Sequence, residues 1–333
     1  MKLGIDIGGT KTAAVALADS GELSDQLRMP TGFGAEAVVE TALRTVERMA
    51  ELAGLGASSF SSIGIGIPGA VDNATGRVAH AVNLGLEGLD LGPRLADRLG
   101  VEVRVENDVK AAALGAHHLL AESESDFADA DADADAAAAA DASDVPPSEA
   151  ATGRSMAYLN LGTGLAAGIV QGGRLLRGGH GVAGEIGHIP IDPAGELCGC
   201  GQRGCLETVA SGSAIARMWP SQAELPAREL FDLAEVGVAD AVAVRERFLE
   251  GVAAAVRLLV LTTDVDDVVI GGGLAALGEP LLDGTRRILN GWAADSAFLA
   301  SLGLAKRVRV IPLGFPAAAV GAALVGVAQW QKS

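Results

Sequence analysis

Short apolar runs of four to six residues alternate along the chain with segments whose apolar residues recur every three or four positions. Ser62–Ile67, Val101–Val105, Met156–Leu161, Asp267–Ile270 and Arg307–Ile311 are rich in Val, Ile or Leu, as buried strands are. Leu3-Gly4-Ile5-Asp6-Ile7 reads the same way at the start of the chain. Glu36–Leu52, Val109–Leu120 and Ala239–Leu261 have helical spacing. Alternation of the two patterns predicts α/β layers, and glycine-rich turns follow several of the strands.

A length of 333 residues exceeds one ordinary core and suits two α/β domains with a cleft between them. Hydrophobic residues make up 49 % but aromatics only 3 %, so the cores must be built from Ala, Val, Leu and Ile. One segment breaks the pattern. Residues 121–153 hold Asp-Ala repeats, an Ala tract and Pro146-Pro147, a composition that cannot bury a core and predicts a disordered or fleetingly helical insertion. Ten acidic residues and no Lys or Arg fall in 121–150; without them the net charge of −17 becomes −7. The expected domains are 1–118 with 317–333, the acidic insertion 119–153, and 154–316. No basic stripe suggests nucleic acid. No apolar run reaches the ~18 residues of a membrane span. The best candidate, Gly251–Leu261, is short and carries Arg257. Met1-Lys2 leads directly into a strand with no signal peptide, so a cytoplasmic location is expected.

Three glycine turns follow strands. Asp6-Ile7-Gly8-Gly9-Thr10-Lys11 offers backbone N–H groups that can approach an anion, a hydroxyl, an ammonium and an Asp that can hold Mg²⁺. Alone it could be a plain hairpin turn. Asn160-Leu161-Gly162-Thr163-Gly164 repeats the pattern in the second half, and Gly271-Gly272-Gly273 follows Val268–Ile270. Two strand–Gly-Thr turns and a later glycine cluster suit two half-sites gripping one nucleotide. No P-loop pattern occurs. Val105-Glu106-Asn107-Asp108 joins a strand to a helix. An Asp there serves either as the helix N-cap or as a base that orients an attacking hydroxyl.

All three cysteines lie within Cys198-Gly199-Cys200-Gly201-Gln202-Arg203-Gly204-Cys205, after His188. Three thiolates and an imidazole complete a tetrahedral Zn²⁺ site with no open position, hence a structural one. It would fasten the loops carrying Glu185 and Glu207, whose carboxylates could accept hydrogen bonds from sugar hydroxyls.

Taken together these motifs resemble the ROK family (repressor, open reading frame, kinase), in particular its glucokinase-like sugar kinases. The resemblance spans nearly the whole chain outside 121–153. It rests on Asp6–Lys11, Gly64-Ile65-Gly66-Ile67-Pro68-Gly69, Glu106-Asn107-Asp108, Gly162-Thr163-Gly164, Gly184-Glu185-x-x-His188, the Cys198–Glu207 stretch and Gly271–Gly273. The Cys–Glu stretch is the most specific.

The resemblance implies a two-domain actin-like, ribonuclease H-like ATPase fold and phosphorylation of a hexose at its 6-hydroxyl, glucose first. N-acetylmannosamine, N-acetylglucosamine, fructose or allose are the alternatives, with a non-catalytic sugar sensor behind them. It makes Asp108 the general base, and Gly69, Asn83, Asn107, Glu185, His188 and Glu207 sugar contacts. Gly8, Gly9, Thr10, Lys11, Gly162, Thr163 and Gly164 would meet the ATP phosphates, Asp6 would place Mg²⁺, and Gly271, Gly272 and Gly273 would lie on the adenosine side. His188, Cys198, Cys200 and Cys205 would hold zinc. ATP is favoured over polyphosphate because the zinc loop is present. A homodimer or homotetramer is expected. Two departures bear on the sugar: no Trp follows Asn83 closely, and Lys110 stands where the family motif often has Asn.

Overall fold

The computed structural model describes residues 1–54, 56, 59–131 and 154–326, with side chains outside 123–131. The chain divides into two units, one of Met1–Ser155, Val170–Leu175 and Pro316–Ser333, the other of Met156–Ile169 and Leu176–Phe315.

The first unit begins with β1 (Lys2–Ile7), β2 (Lys11–Leu17) and β3 (Leu27–Pro30), an antiparallel set, followed by helix α1 (Ala35–Leu52) and β4 (Ser62–Ile67). A small antiparallel meander of β5 (Ala70–Asp72), β6 (Arg77–Ala81) and β7 (Leu86–Asp90) leads through α2 (Leu91–Leu99) to β8 (Val103–Asn107) and α3 (Asp108–Asp131). The main sheet has the order β3-β2-β1-β4-β8, with β1, β4 and β8 parallel. α1 buries Val38, Val39, Ala42, Val46, Met49 and Ala50, one stripe of the helix, on the cluster formed by Leu3, Ile5, Ile63 and Ile65. α3 runs past Leu120, where the sequence pattern ends it, and is described as far as Asp131, because Ala and Glu are good helix formers. The rest of the acidic insertion lies outside the described residues.

The second unit starts with β9 (Met156–Leu161) and most of β10 (Leu165–Gln171), while β11 (Arg174–Leu175) counts with the first; α4 (Gly212–Met218), α5 (Pro226–Glu235) and α6 (Ala239–Thr263) continue the second unit. β12 (Asp267–Gly271), α7 (Glu279–Ala294), α8 (Ala297–Leu302) and β13 (Val308–Val310) follow. The sheet order is β11-β10-β9-β12-β13, with β9, β12 and β13 parallel. The core is aliphatic, centred on Leu159, Val252, Val256, Leu259 and Ile270, with Phe231 and Phe248 edge to face.

The last described helix, α9 (Ala317–Val325), packs in the first unit against β1, β4 and α3. Glycines make this approach possible. A Cβ on Gly64 would collide with the Ala322 carbonyl, and one on Gly115 of α3 with the Ala317 carbonyl. Among the described residues no helix is long and apolar enough to cross a membrane.

Candidate active site

In the first unit three parallel strands end side by side. Asp6 on β1 pairs with Gly66 on β4, and Gly66 with Glu106 on β8. Carboxyl ends of parallel strands are where α/β sheets build ligand sites. Asp6 and Asp108 flank this edge, and Gly66 leaves room between them: a Cβ there would stand 3.6 Å from Asp108 Cα. Burial, with the Asp108 charge added, pushes Asp6 from 3.8 up to about 7.

Asn107, not Asp108, is the true N-cap of α3, which corrects one of the two sequence readings of that junction. Its Oδ1 accepts from the Val109 and Lys110 amides at 3.1 and 3.2 Å. Its Nδ2 donates to the Gly69 carbonyl at 3.2 Å. Asp108 Oδ1 accepts from the adjacent Val109 amide at 2.9 Å. The cap thus ties the turn after β4 to the start of α3, with Gly69 at a φ of 103° that favours glycine.

The Gly8–Lys11 turn joins β1 to β2, closed by the Gly8 amide donating to the Lys11 carbonyl at 2.9 Å. It is a hairpin turn, as the simpler sequence reading had it, and it also presents Thr10 and Lys11 to solvent. Gly9 lies against Asn83 of the 3₁₀ turn Val82–Leu84; a Cβ there would sit 3.1 Å from Asn83 Cβ.

In the second unit Gly162-Thr163-Gly164 joins β9 to β10 and is held on several sides. The Gly212 and Ser213 amides, at the start of α4, donate to the Gly162 and Thr163 carbonyls at 2.8 and 3.0 Å. Ser211 caps α4 through the Ala214 amide at 3.1 Å. Glu207 Oε2 accepts from the Leu165 amide at 2.9 Å. The Gly271–Gly273 turn lies alongside, since Gly271 pairs with Asn160 and the buried Tyr158 hydroxyl accepts from the Gly272 amide at 3.1 Å. Next to it opens a largely apolar cavity of about 280 Å³, lined by Gly212, Ile215, Leu225, Arg228, Gly273 and Leu274 among others.

The four metal-ligand candidates come together. Ligand atoms of His188, Cys198, Cys200 and Cys205 all lie within 4.8 Å of one another. Cys200 Sγ is 3.6 Å from Cys205 Sγ, and Cys198 Sγ 3.7 Å from His188 Nδ1. Zinc–sulfur bonds of about 2.3 Å at tetrahedral angles need sulfurs about 3.8 Å apart, so the set fits that ion. Hydrogen bonds from Gln202 lower the Cys200 thiol to about 6, while burial and the neighbouring thiols push Cys205 up to about 12. Crowded thiols ionise together only when a cation balances their charge. Glu185 is exposed, on the turn that leads into the 3₁₀ segment Ile186–His188.

Asp6, Gly8–Lys11, Gly69, Asn83, Asn107 and Asp108 therefore belong to the first unit, and Gly162–Gly164, Glu185, His188, the cysteines, Glu207 and Gly271–Gly273 to the second. Sequence reasoning missed Tyr158, the Ser211–Ser213 segment and the cavity beside Gly273. Ser211 ahead of the apolar spacing that includes Ile215 was a readable cap signal. The Tyr158 bond joins residues 114 positions apart and left no local trace.

Two sheets of one order, each with a Gly-Thr turn between its first two strands, define the actin-like ATPase fold. The ROK family model matches residues 2–128 and 127–326, and the chain belongs to that family. It is 29 % identical to a glucokinase of Halalkalibacterium halodurans, over 96 % of this chain and 92 % of that protein. It is 33 % identical to an N-acetylmannosamine kinase of Citrobacter koseri, over 86 % and 88 %. A ROK family glucokinase from Streptomyces griseus, solved in complex with glucose and AMPPNP, superposes with a TM-score of 0.72 at 28 % identity, covering 98 % of both chains.

Proposed function

We propose that this ROK protein is an ATP-dependent sugar kinase that transfers the γ-phosphoryl group to the 6-hydroxyl of a hexose, with glucose as the preferred acceptor. The observation that carries the reading is the Asp6–Asp108 pair at the parallel strand ends beside the Gly8–Lys11 turn. The glucokinases among its relatives support the sugar, and the AMPPNP complex of one of them supports the nucleotide.

In this reading the Asp108 carboxylate orients the 6-hydroxyl and takes its proton. The sugar oxygen then bonds to the γ-phosphorus as the bond to the β-phosphate oxygen breaks and ADP leaves. Catalysis of this kind is positioning and charge neutralisation. Asn107, already fixed by its bonds to α3 and Gly69, serves as a rigid wall of the sugar site together with Asn83, Glu185 and His188. Thr10, Lys11, Thr163 and the glycine amides take the phosphates, and the cavity beside Gly273 takes adenosine. Asp6 would hold Mg²⁺, which supplies charge neutralisation on the phosphates. His188, Cys198, Cys200 and Cys205 would hold Zn²⁺, which supplies a rigid cross-link for the loops bearing Glu185 and Glu207.

N-acetylmannosamine is the second reading, favoured by the Citrobacter koseri relative. A coupled ADP-release assay with Mg²⁺ and ATP over hexoses and N-acetylhexosamines separates the two. Highest kcat/KM on glucose is expected; preference for N-acetylmannosamine would transfer the chemistry to that sugar, and no turnover on any sugar would overturn the kinase assignment.

A further inference from the structure

We propose that Glu207 is a strut through which the metal loop sets the phosphate turn, so that nucleotide affinity depends on the loop's metal. This deepens the kinase reading and rests on its assignment of Gly162–Gly164 to phosphate.

Glu207 stands two residues beyond Cys205, in the 3₁₀ turn Leu206–Thr208. Its backbone is pinned: the Ser211 hydroxyl donates to its carbonyl at 2.8 Å, and the Thr208 amide to that of Cys205 at 2.8 Å. Its half-buried side chain does not simply face solvent. Oε2 accepts from the amide of Leu165, the residue directly after the Gly-Thr-Gly turn, and Oε1 lies 4.0 Å from Cys198 Sγ. Gly164 has no side chain where a Cβ would strike Oε2. Gly187, next to His188, closes the same contact: a Cβ there would strike the Leu165 carbonyl and sit 3.4 Å from Glu207 Cβ. The carboxylate therefore spans from a ligand sulfur to the phosphate turn within one unit. A buried amide that loses its acceptor must shift or stay unsatisfied, and either outcome displaces the turn.

The sequence reading makes Glu207 a sugar contact. A strut and a sugar contact differ in what they move, and two readouts on the full chain separate them. One is hydrogen exchange at the Leu165 amide; the other is AMPPNP binding by calorimetry in the absence of sugar. Glu207→Ala is expected to speed exchange and to weaken AMPPNP each by about tenfold, the factor equivalent to ~1.4 kcal/mol. Glu207→Gln keeps both close to wild type, because its amide oxygen accepts the same bond. Removing the metal from wild type with a chelator reproduces the alanine effects, and adds nothing further in Glu207→Ala. Unchanged exchange and AMPPNP affinity in Glu207→Ala, with sugar affinity lost, would overturn the strut. So would a chelated wild type whose Leu165 amide exchanges as before. If Glu207→Ala does not fold, chelated wild type and Glu207→Gln decide. Failure of wild type to bind AMPPNP at all would instead strike the phosphate assignment, leaving the exchange measurements to judge the Leu165 link by themselves.

Discussion

The two turns that open the two sheets are near copies with one telling difference. Asp6 occupies the place in the first that Asn160 occupies in the second, two residues ahead of the glycine in each case. The surroundings follow the charge. Asp6 is held near 7 by burial and, secondarily, by the Asp108 charge across Gly66. Asn160 is wedged between glycines: its Nδ2 lies 3.3 Å from where a Gly162 Cβ would be, and its Oδ1 2.7 Å from that of Gly272. The first turn sets a buried carboxyl near a second one and the second packs an amide between glycines, on the same backbone plan. An amide keeps the second turn neutral and gives it both a donor and an acceptor.

Four changes break or sharpen that contrast. Asp108→Asn removes the carboxylate opposite Asp6, and on the proposed kinase reading kcat should fall roughly a hundred- to ten-thousand-fold. Sugar binding by calorimetry should survive; near-normal kcat would remove Asp108 from its role.

Asp6→Asn makes the first turn resemble the second. The folded state holds the Asp6 proton up to about 7, whereas the unfolded chain releases it near 3.8. Between those values the folded protein binds more protons, so this group's contribution to stability is greatest below about pH 4, declines as pH rises, and is fully unfavourable above 7. The variant should therefore gain on wild type as pH rises from 4 to 8, by at most about 4 kcal/mol at 1.36 kcal/mol per unit. Denaturant melts at the two pH values measure it, and an equal difference at both would refute the raised proton affinity of buried Asp6.

Much of this contrast was readable beforehand, for a physical reason. Glycine turns, the strand-to-helix junction at Asp108 and the cysteine cluster are all local patterns, with their chemistry carried by residues a few positions apart. Asn107 took the cap from its neighbour because its amide can bond both to α3 and to Gly69, and the Gly69 contact is set by strand register rather than by sequence spacing. The β5–β7 meander went unseen because its strands are short and half-exposed, with little apolar alternation to read. Glu207 and Leu165 lie 42 residues apart and meet only in the folded unit.

The two smaller changes act on the second turn. Asn160→Asp gives it the charge of the first, without the second carboxylate or the room for a cation, and should weaken AMPPNP binding about tenfold while leaving sugar affinity intact. Equal affinity would mean that the turn does not meet phosphate. Tyr158→Phe removes the acceptor for the Gly272 amide. A cost of about 1 kcal/mol is expected, read as a severalfold rise in KM for ATP with kcat nearly constant. A fall in kcat alone would place the effect elsewhere.

The glycine-lined seat of α9 ties completion of the first unit to a distant stretch of the chain. β1 and β4 are among the first strands made, yet the helix that covers them begins at Ala317. The second unit's strands all precede Phe315, whereas the packing on the first unit's sheet is complete only with α9. Closing the first unit therefore needs a contact between segments near the two ends of the chain, and contacts of such long sequence separation are the slow ones to form.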